Sequence, residues 1–511
     1  MTVHLDILKQ HCKDLLLAEA IGWLHDYRKC SEEHLQTQAP GSKTQALPRA
    51  ELSNRQPHLR NISLTLPTIQ SSSRTVTDLL NDKTWHQDTL GQFLSRCHNT
   101  AHFDKQEPVG GEQNYPGTQL SSPFGFEKPV GTTLTTKLWA LPWNNLATLE
   151  SHRQPLKEQI STLFAQTVAD SRRPINEVDL WSWGLLVGAL YKSALAGALL
   201  GYQPQASSLR WRLLGICVNG LDYLSNAARI PDLLARQVLL ADGLDRVREL
   251  LEVTYPLGTE VYRDENGSIF VVPNIDNLLE ITDSSSGASL RDLIRKAFSK
   301  GTAKDNPALQ LGEEILPQIE LEQKPWWGQD PQWEAKTQLD KKTNQPKDPN
   351  LYGQKLVDEI PGITAFLARD IVSSTDPRWV TGFWKGNPSD ICPVCGLRPQ
   401  ADPESRNKEE RKAGERKVCL VCEQRRSDRA QEWAGNLGTT IWTDEVADIN
   451  GRLALIVGHF NLDHWLDGTL VQTLTVTDPA QDNTSDKSGV VKKIPSFARL
   501  RRIWETTRTF W

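Results

Sequence analysis

Methionine is nearly missing from this chain. Met1 is the only one in 511 residues, and nothing physical in the sequence explains it. Cysteine is scarce, eight in all, which excludes the dense disulfide framework of small secreted domains. Charge of one sign is not in excess: 58 Lys and Arg stand against 63 Asp and Glu, a formal net charge of −5. The whole chain is therefore not a basic nucleic-acid coat, and any such contact has to come from local patches. The start, Met1-Thr2-Val3-His4-Leu5-Asp6, lacks a basic stretch followed by an apolar run, so no secretory signal is expected. Long apolar runs are also rare. The one that invites a membrane reading, Leu180 to Tyr202, carries Lys192 at its middle, a charge costing roughly 2.5–3.5 kcal/mol in a bilayer. Its Gly184, Gly188, Ala194, Ala196 and Gly197 suit close packing inside a protein, so a buried helix, no membrane and a cytoplasmic location are expected.

The rest of the composition, 38% hydrophobic and 24% charged, is that of an ordinary globular protein. The length implies three to four domains at roughly 150 residues each. The expected class is multidomain α+β. Helical spacing of Leu8, Leu15, Leu16, Leu17, Ala20, Ile21 and Leu24 opens the chain. Residues 1–205 are expected to be all-α, with a disordered, Gln-, Ser- and Pro-rich insertion near 36–75. From Ser208 the pattern changes. The segment Leu209–Leu224 opens with a short apolar run suited to a buried strand and precedes an amphipathic helix at Ile230–Val253, with Pro231 in its first turn. Two β-rich runs then flank Asp264-Glu265-Asn266-Gly267, a strong hairpin signal. Strand, helix and hairpin in that order open a ferredoxin-like, or palm-type, unit, placed at 206–300. Residues 301–375 are expected to form a linker or helical insertion and 376–435 a metal module. Residues 436–511 are expected to begin a second palm-like unit, with Gly451–Phe460 as its first strand and its hairpin missing.

The best-specified site is Cys392-Pro-Val-Cys395 with Cys419-Leu-Val-Cys422. Two CxxC pairs supply four thiolates for tetrahedral Zn²⁺, and a filled coordination sphere makes that zinc structural. The segment between them holds seven basic and five acidic residues and is expected to be a solvated loop. The second candidate is His25-Asp26, which could share a divalent metal that activates water against a phosphodiester. His98 and His102, four apart, face one way on a helix. They either complete that metal site or are ordinary surface histidines. His11, His34 and His86 are expected to be solvated. The acids of the Asp264–Gly267 turn are what a tight turn requires in any case. The second strand-like run ends in His459 and Asn461, with Asp463 beyond, and brings too little negative charge for two Mg²⁺ ions. The C-terminal helix carries Arg499, Arg501, Arg502 and Arg508, either a solvated basic face or a contact for RNA or a partner.

The order of these parts resembles a known family. Ala18–Asp26, Cys97–His102, Tyr255–Gly267, the two CxxC pairs, Ala454–Gly468 and Trp504–Trp511 together resemble the large signature subunit of CRISPR type III effector complexes. The nearest form is the type III-C-associated variant with a degenerate palm, and its C-terminal half is expected to be missing here. The resemblance implies an HD domain that cuts single-stranded DNA, with His25, Asp26, His98 and His102 holding a metal such as Mn²⁺ or Ni²⁺. It also implies assembly with guide RNA and other CRISPR effector subunits. The family's HDxGK run is His25-Asp26-Tyr27-Arg28-Lys29 here, with Arg28 in place of glycine. No competent cyclase site is expected. A catalytically silent scaffold subunit and a stand-alone HD phosphohydrolase are the alternatives.

Overall fold

The structure is a computed structural model. It describes residues 4–38, 47–66, 73–101, 133–167, 179–227, 229–300, 308, 310–312, 314–325 and 390–426, with backbone strands at 113–114, 118–121, 127–129, 442–448, 451–457 and 474–477. The described chain is mixed helix and sheet.

The N-terminal part is helical. Helix α1, Cys12–Leu24, is buried from Leu15 to Leu24, as expected of a helix apolar on every side. It crosses α4, Leu180–Leu199, which is buried along nearly its whole length. The crossing is close because it is made of glycines: a Cβ on Gly22 would lie 2.3 Å from the Cα of Gly188. This contact explains Gly184 and Gly188 of the apolar run, which face Trp23 and Glu19 of α1, and no described helix is long and apolar enough to cross a membrane. Around the pair lie α2, Thr89–Ala101, and α3, Leu149–Phe164. The insertion expected to be disordered at 36–75 is in part folded. Ala50–Arg55 is helical, and Ser63–Thr65 pairs with Ser73–Thr75. Leu52, Leu59, Leu64 and Leu66 anchor this segment in the core; leucines spaced irregularly among polar residues leave no periodic signal. Residues 39–46 and 67–72 lie outside the described residues.

A four-stranded sheet follows, built from β1 Trp211–Cys217, β2 Thr259–Asp264, β3 Gly267–Pro273 and β4 Gln318–Leu321. Its order is β4-β1-β3-β2, and all three pairings are antiparallel. With α5, Ile230–Glu249, between β1 and β2 and α6, Leu290–Ser299, between β3 and β4, the connectivity is βαββαβ, the ferredoxin-like arrangement. The unit runs beyond the boundary expected at residue 300, because its last strand is only four residues and carries just Ile319 and Leu321 as apolar signal. At the hairpin tip Asp264 accepts the Asn266 N–H at 2.8 Å and the Tyr262 hydroxyl at 3.1 Å, which is turn chemistry.

A pair of helices and a pair of strands lie toward the C-terminal end of the described chain. Residues 390–426 contain α7, Lys408–Glu415, and α8, Leu420–Arg426. Strand β6, Gly451–Val457, pairs antiparallel with β5, Trp442–Asp448. The strand expected to open a second unit therefore has a partner before it in sequence, one that the apolar pattern alone did not assign. Residues 458–473, with His459, Asn461 and Asp463, lie outside the described residues, as does 478–511.

Candidate metal centres

The first centre is set by the end of α1. His25 is its C-cap, and Asp26 and Tyr27–Lys29 turn away from it. The Nδ1–H of His25 donates to the carbonyl of Gly22 at 2.7 Å. That bond fixes the tautomer and leaves Nε2 as a lone pair pointing inward, the arrangement metal-bound imidazoles require. His98, 73 residues away on α2, brings its Nδ1 to 3.0 Å from that Nε2. One Asp26 carboxylate oxygen lies 3.5 Å from His25 Nε2 and 4.0 Å from His98 Nδ1. One ligand atom from each of the three residues falls within a 4.8 Å group. Two nitrogens and a carboxylate oxygen suit a first-row divalent metal such as Mn²⁺, Ni²⁺ or Zn²⁺, and three ligands leave positions for water. The residues present fit such an ion.

The electrostatics agree. Burial pushes His98 down to about 3, and it pushes His25 below its usual value against the pull of Asp26. Both rings are neutral near pH 7. Burial works against the charge on Asp26, but the Lys29 ammonium 2.7 Å away, with His25 and His98, holds its carboxyl well below the usual range. The sequence reading missed Trp183, whose Nε1–H donates to His25 Nε2 at 3.0 Å, and Trp85, whose ring lies 5.7 Å from that of His98. An isolated tryptophan in an apolar run carries no signal for this. Lys29, three residues from Asp26, was already visible. His102 lies outside the described residues. His34, expected to be solvated, is fully buried because its short helix packs into the core. His86 is exposed, and neither His11, His34 nor His86 joins the metal group.

The second centre joins all four expected cysteines, Cys392, Cys395, Cys419 and Cys422. The Sγ atoms of Cys395 and Cys419 are 3.9 Å apart, close to the edge of about 3.8 Å that a Zn–S length near 2.3 Å gives a tetrahedron. The first knuckle turns through Gly396, whose φ of +64° favours glycine and whose N–H donates to the Cys392 carbonyl at 2.9 Å. The second pair opens α8, where the Cys422 N–H points at Cys419 Sγ. The donor set fits zinc. Part of the intervening basic segment is not solvated: Arg398 is buried and paired with Glu314. Arg425 donates to the same carboxylate at 2.8 Å, and Arg426 grips Asp232 with two bonds of 2.6 and 2.8 Å. Arg236 on α5 donates to the Val394 carbonyl at 2.8 Å. The four-cysteine module is thus clamped to the ferredoxin-like unit. Arg499, Arg501, Arg502 and Arg508 lie outside the described residues.

No family model and no curated protein matches the chain. Among solved structures it is similar to a Csm1–Csm4 cassette in complex with pppApA, with a TM-score of 0.36 and 15% identity over 62% of this chain and 45% of that one. A Csm1–Csm4 cassette in complex with one ATP gives a TM-score of 0.34 and 13% identity over 61% and 44%. In both, the chain spans less than half the length of the structure it matches.

Proposed function

We propose that this chain is a large subunit of an RNA-guided type III CRISPR effector complex, in which His25, Asp26 and His98 form a metal-dependent nuclease site for single-stranded DNA. The observation that carries the reading is the convergence of His98 on His25-Asp26, with His25 Nε2 held as an inward lone pair by the Gly22 carbonyl. The order of motifs along the sequence supplies the family. A divalent ion held there would polarise a water for attack on a phosphodiester phosphorus, with the P–O bond to the leaving sugar breaking. The protein's own part is to keep two imidazoles neutral, keep Asp26 ionised through Lys29, and wall the group with Trp85 and Trp183. The four-cysteine module is a structural zinc site, and guide RNA and further effector subunits are the partners. No cyclase site is assigned.

A silent scaffold is the second reading, favoured by one observation: two of the three ligand residues are already bonded from within, Asp26 by Lys29 and His25 Nε2 by the Trp183 N–H. The deciding experiment measures cleavage of labelled single-stranded DNA with Mn²⁺ or Ni²⁺ by the full chain and by His25→Ala/Asp26→Ala, with zinc content determined on both. Cleavage lost only in the variant, with zinc intact, supports the nuclease. Absence of cleavage by the zinc-loaded chain, alone and in its co-purified assembly, leaves the scaffold.

A further inference from the structure

The three ligand atoms of the histidine–aspartate centre are spaced for one shared ion. His25 Nε2 and His98 Nδ1 are 3.0 Å apart, and the nearer Asp26 oxygen is 3.5 and 4.0 Å from them. Metal–ligand lengths of about 2.0–2.2 Å place neighbouring ligand atoms roughly 3 Å apart or a little more. A fourth group already occupies that place. Trp183, in the first turn of α4, donates its indole Nε1–H to His25 Nε2 at 3.0 Å. It is 8% exposed. The Lys29 ammonium lies 5.9 Å from the centre of its ring, and the His98 ring meets it edge-on at 5.6 Å.

Donor and acceptor capacity decides which of these neighbours can stay when an ion arrives. A neutral imidazole has one acceptor nitrogen with one lone pair. His25 Nδ1–H is committed to the Gly22 carbonyl, so that lone pair is on Nε2, and either an N–H or a metal takes it. Asp26 also has a partner, Lys29 at 2.7 Å, but a carboxylate offers about four lone-pair sites, so ammonium and ion can share it. His98 yields by moving its proton from Nδ1 to Nε2, which turns the facing nitrogen into a ligand without displacing the ring. Trp183 has no such option, because an indole nitrogen only donates. Its N–H and a metal on His25 exclude one another.

We propose that Trp183 gates metal loading: its indole N–H caps His25 Nε2 in the metal-free chain, and a divalent cation binds only as the indole turns off that nitrogen. This rests on the metal reading of His25, Asp26 and His98, yet its test does not require cleavage. The full chain, with its cysteine module zinc-loaded, is titrated with Mn²⁺, and free Mn²⁺ is followed by electron paramagnetic resonance. Wild type is compared with Trp183→Phe, which keeps an aromatic ring and removes the N–H. The variant is expected to bind Mn²⁺ roughly three- to tenfold more tightly, the range of the one neutral hydrogen bond that wild type has to give up. A residue that only packs against the group would, when shrunk, lower the affinity or leave it alone, so the sign of the change separates the two roles. His25→Ala, alone and with Trp183→Phe, is expected to abolish this binding and so locates the ion. In wild type, the indole proton resonance of Trp183, identified by its proximity to the His98 ring, is expected to move upfield when one further equivalent of Zn²⁺ binds; this decides the matter if Trp183→Phe does not fold. Equal or weaker Mn²⁺ binding by folded Trp183→Phe overturns the gate and leaves the metal centre standing, as does an indole resonance that stays in place once Zn²⁺ is bound. No His25-dependent metal binding by either protein overturns gate and centre together. Tighter binding by the variant without cleavage keeps the gate and removes only the nuclease.

Discussion

Replacing Glu19 by glutamine tests the most heavily buried electrostatic feature of the fold. Glu19 and Lys192 are both fully buried. One Glu19 oxygen accepts from Lys192 Nζ at 2.9 Å, Arg153 Nη2 at 2.9 Å and the Thr259 hydroxyl at 2.8 Å. The other accepts from Arg153 Nε at 2.7 Å. Arg153 also reaches Glu252 at 2.6 Å, and Glu252 accepts the Glu260 N–H at 2.8 Å. Two acids face two bases, and the group ties α1, α3 and α4 to the turn after α5 and to β2. Burial opposes charge on Glu19, but Arg153 and Lys192 outweigh it and hold its carboxyl below the usual range. Glu19→Gln leaves two cations facing one carboxylate. Breaking a buried pair from one side costs roughly 3–5 kcal/mol. Adding Lys192→Met restores neutrality, so the double variant is expected to be less destabilised than the sum of the singles by at least about 1.5 kcal/mol. Hydrogen exchange of the α1 and α4 amides measures the local opening energy, which suits a chain of several units that does not unfold in one step. Additivity of the two substitutions within about 0.5 kcal/mol refutes the coupled network.

Gly22→Ala is expected to force α1 and α4 apart, because the new Cβ meets the Gly188 backbone at 2.3 Å. A loss of about 1–3 kcal/mol and a weaker Mn²⁺ affinity, seen by calorimetry, should appear together, since Gly22 also orients His25. Removing zinc with a chelator, or Cys419→Ser, is expected to release one zinc ion per chain and make 390–426 protease-sensitive; protection unchanged after measured zinc loss speaks against a structural metal. In metal-free protein, His98 near 3 against an ordinary value of about 6.5 means that the unfolded chain binds the proton first. Stability should therefore be level above about pH 7 and fall as pH drops from about 6.5 toward 3. His98→Gln should flatten that slope, and an unchanged slope would assign it to other groups.

The clustering of the four cysteines was legible in the sequence because their spacing is local: each CxxC pair closes its own knuckle, and only two knuckles had to meet. The hairpin around Glu265-Asn266 was legible for the same reason, as was the buried character of α1 and α4. His25-Asp26 carried half a signal. Its partner His98 is on another helix, and the alternative of a surface histidine stayed open until the packing of α2 against α4 brought its Nδ1 to 3.0 Å from His25 Nε2. Lys192 shows the limit most plainly. In sequence it is an awkward charge inside an apolar run; only the crossing of α1 and α4 at Gly22 and Gly188 delivers Glu19 to it.

The amino-acid sequence by itself determined the local elements, the two cysteine pairs, the sheet's opening strand–helix–hairpin order and the acid–histidine pair, because each depends on residues a few positions apart. The tertiary structure alone decided the position of β4, the folding of the 47–66 segment, the clamp of Arg398 and Arg425 on Glu314, and the bond from Trp183 to His25. Those depend on contacts between residues tens to hundreds of positions apart. Their free energy comes from burial and charge pairing, which composition and periodicity do not encode.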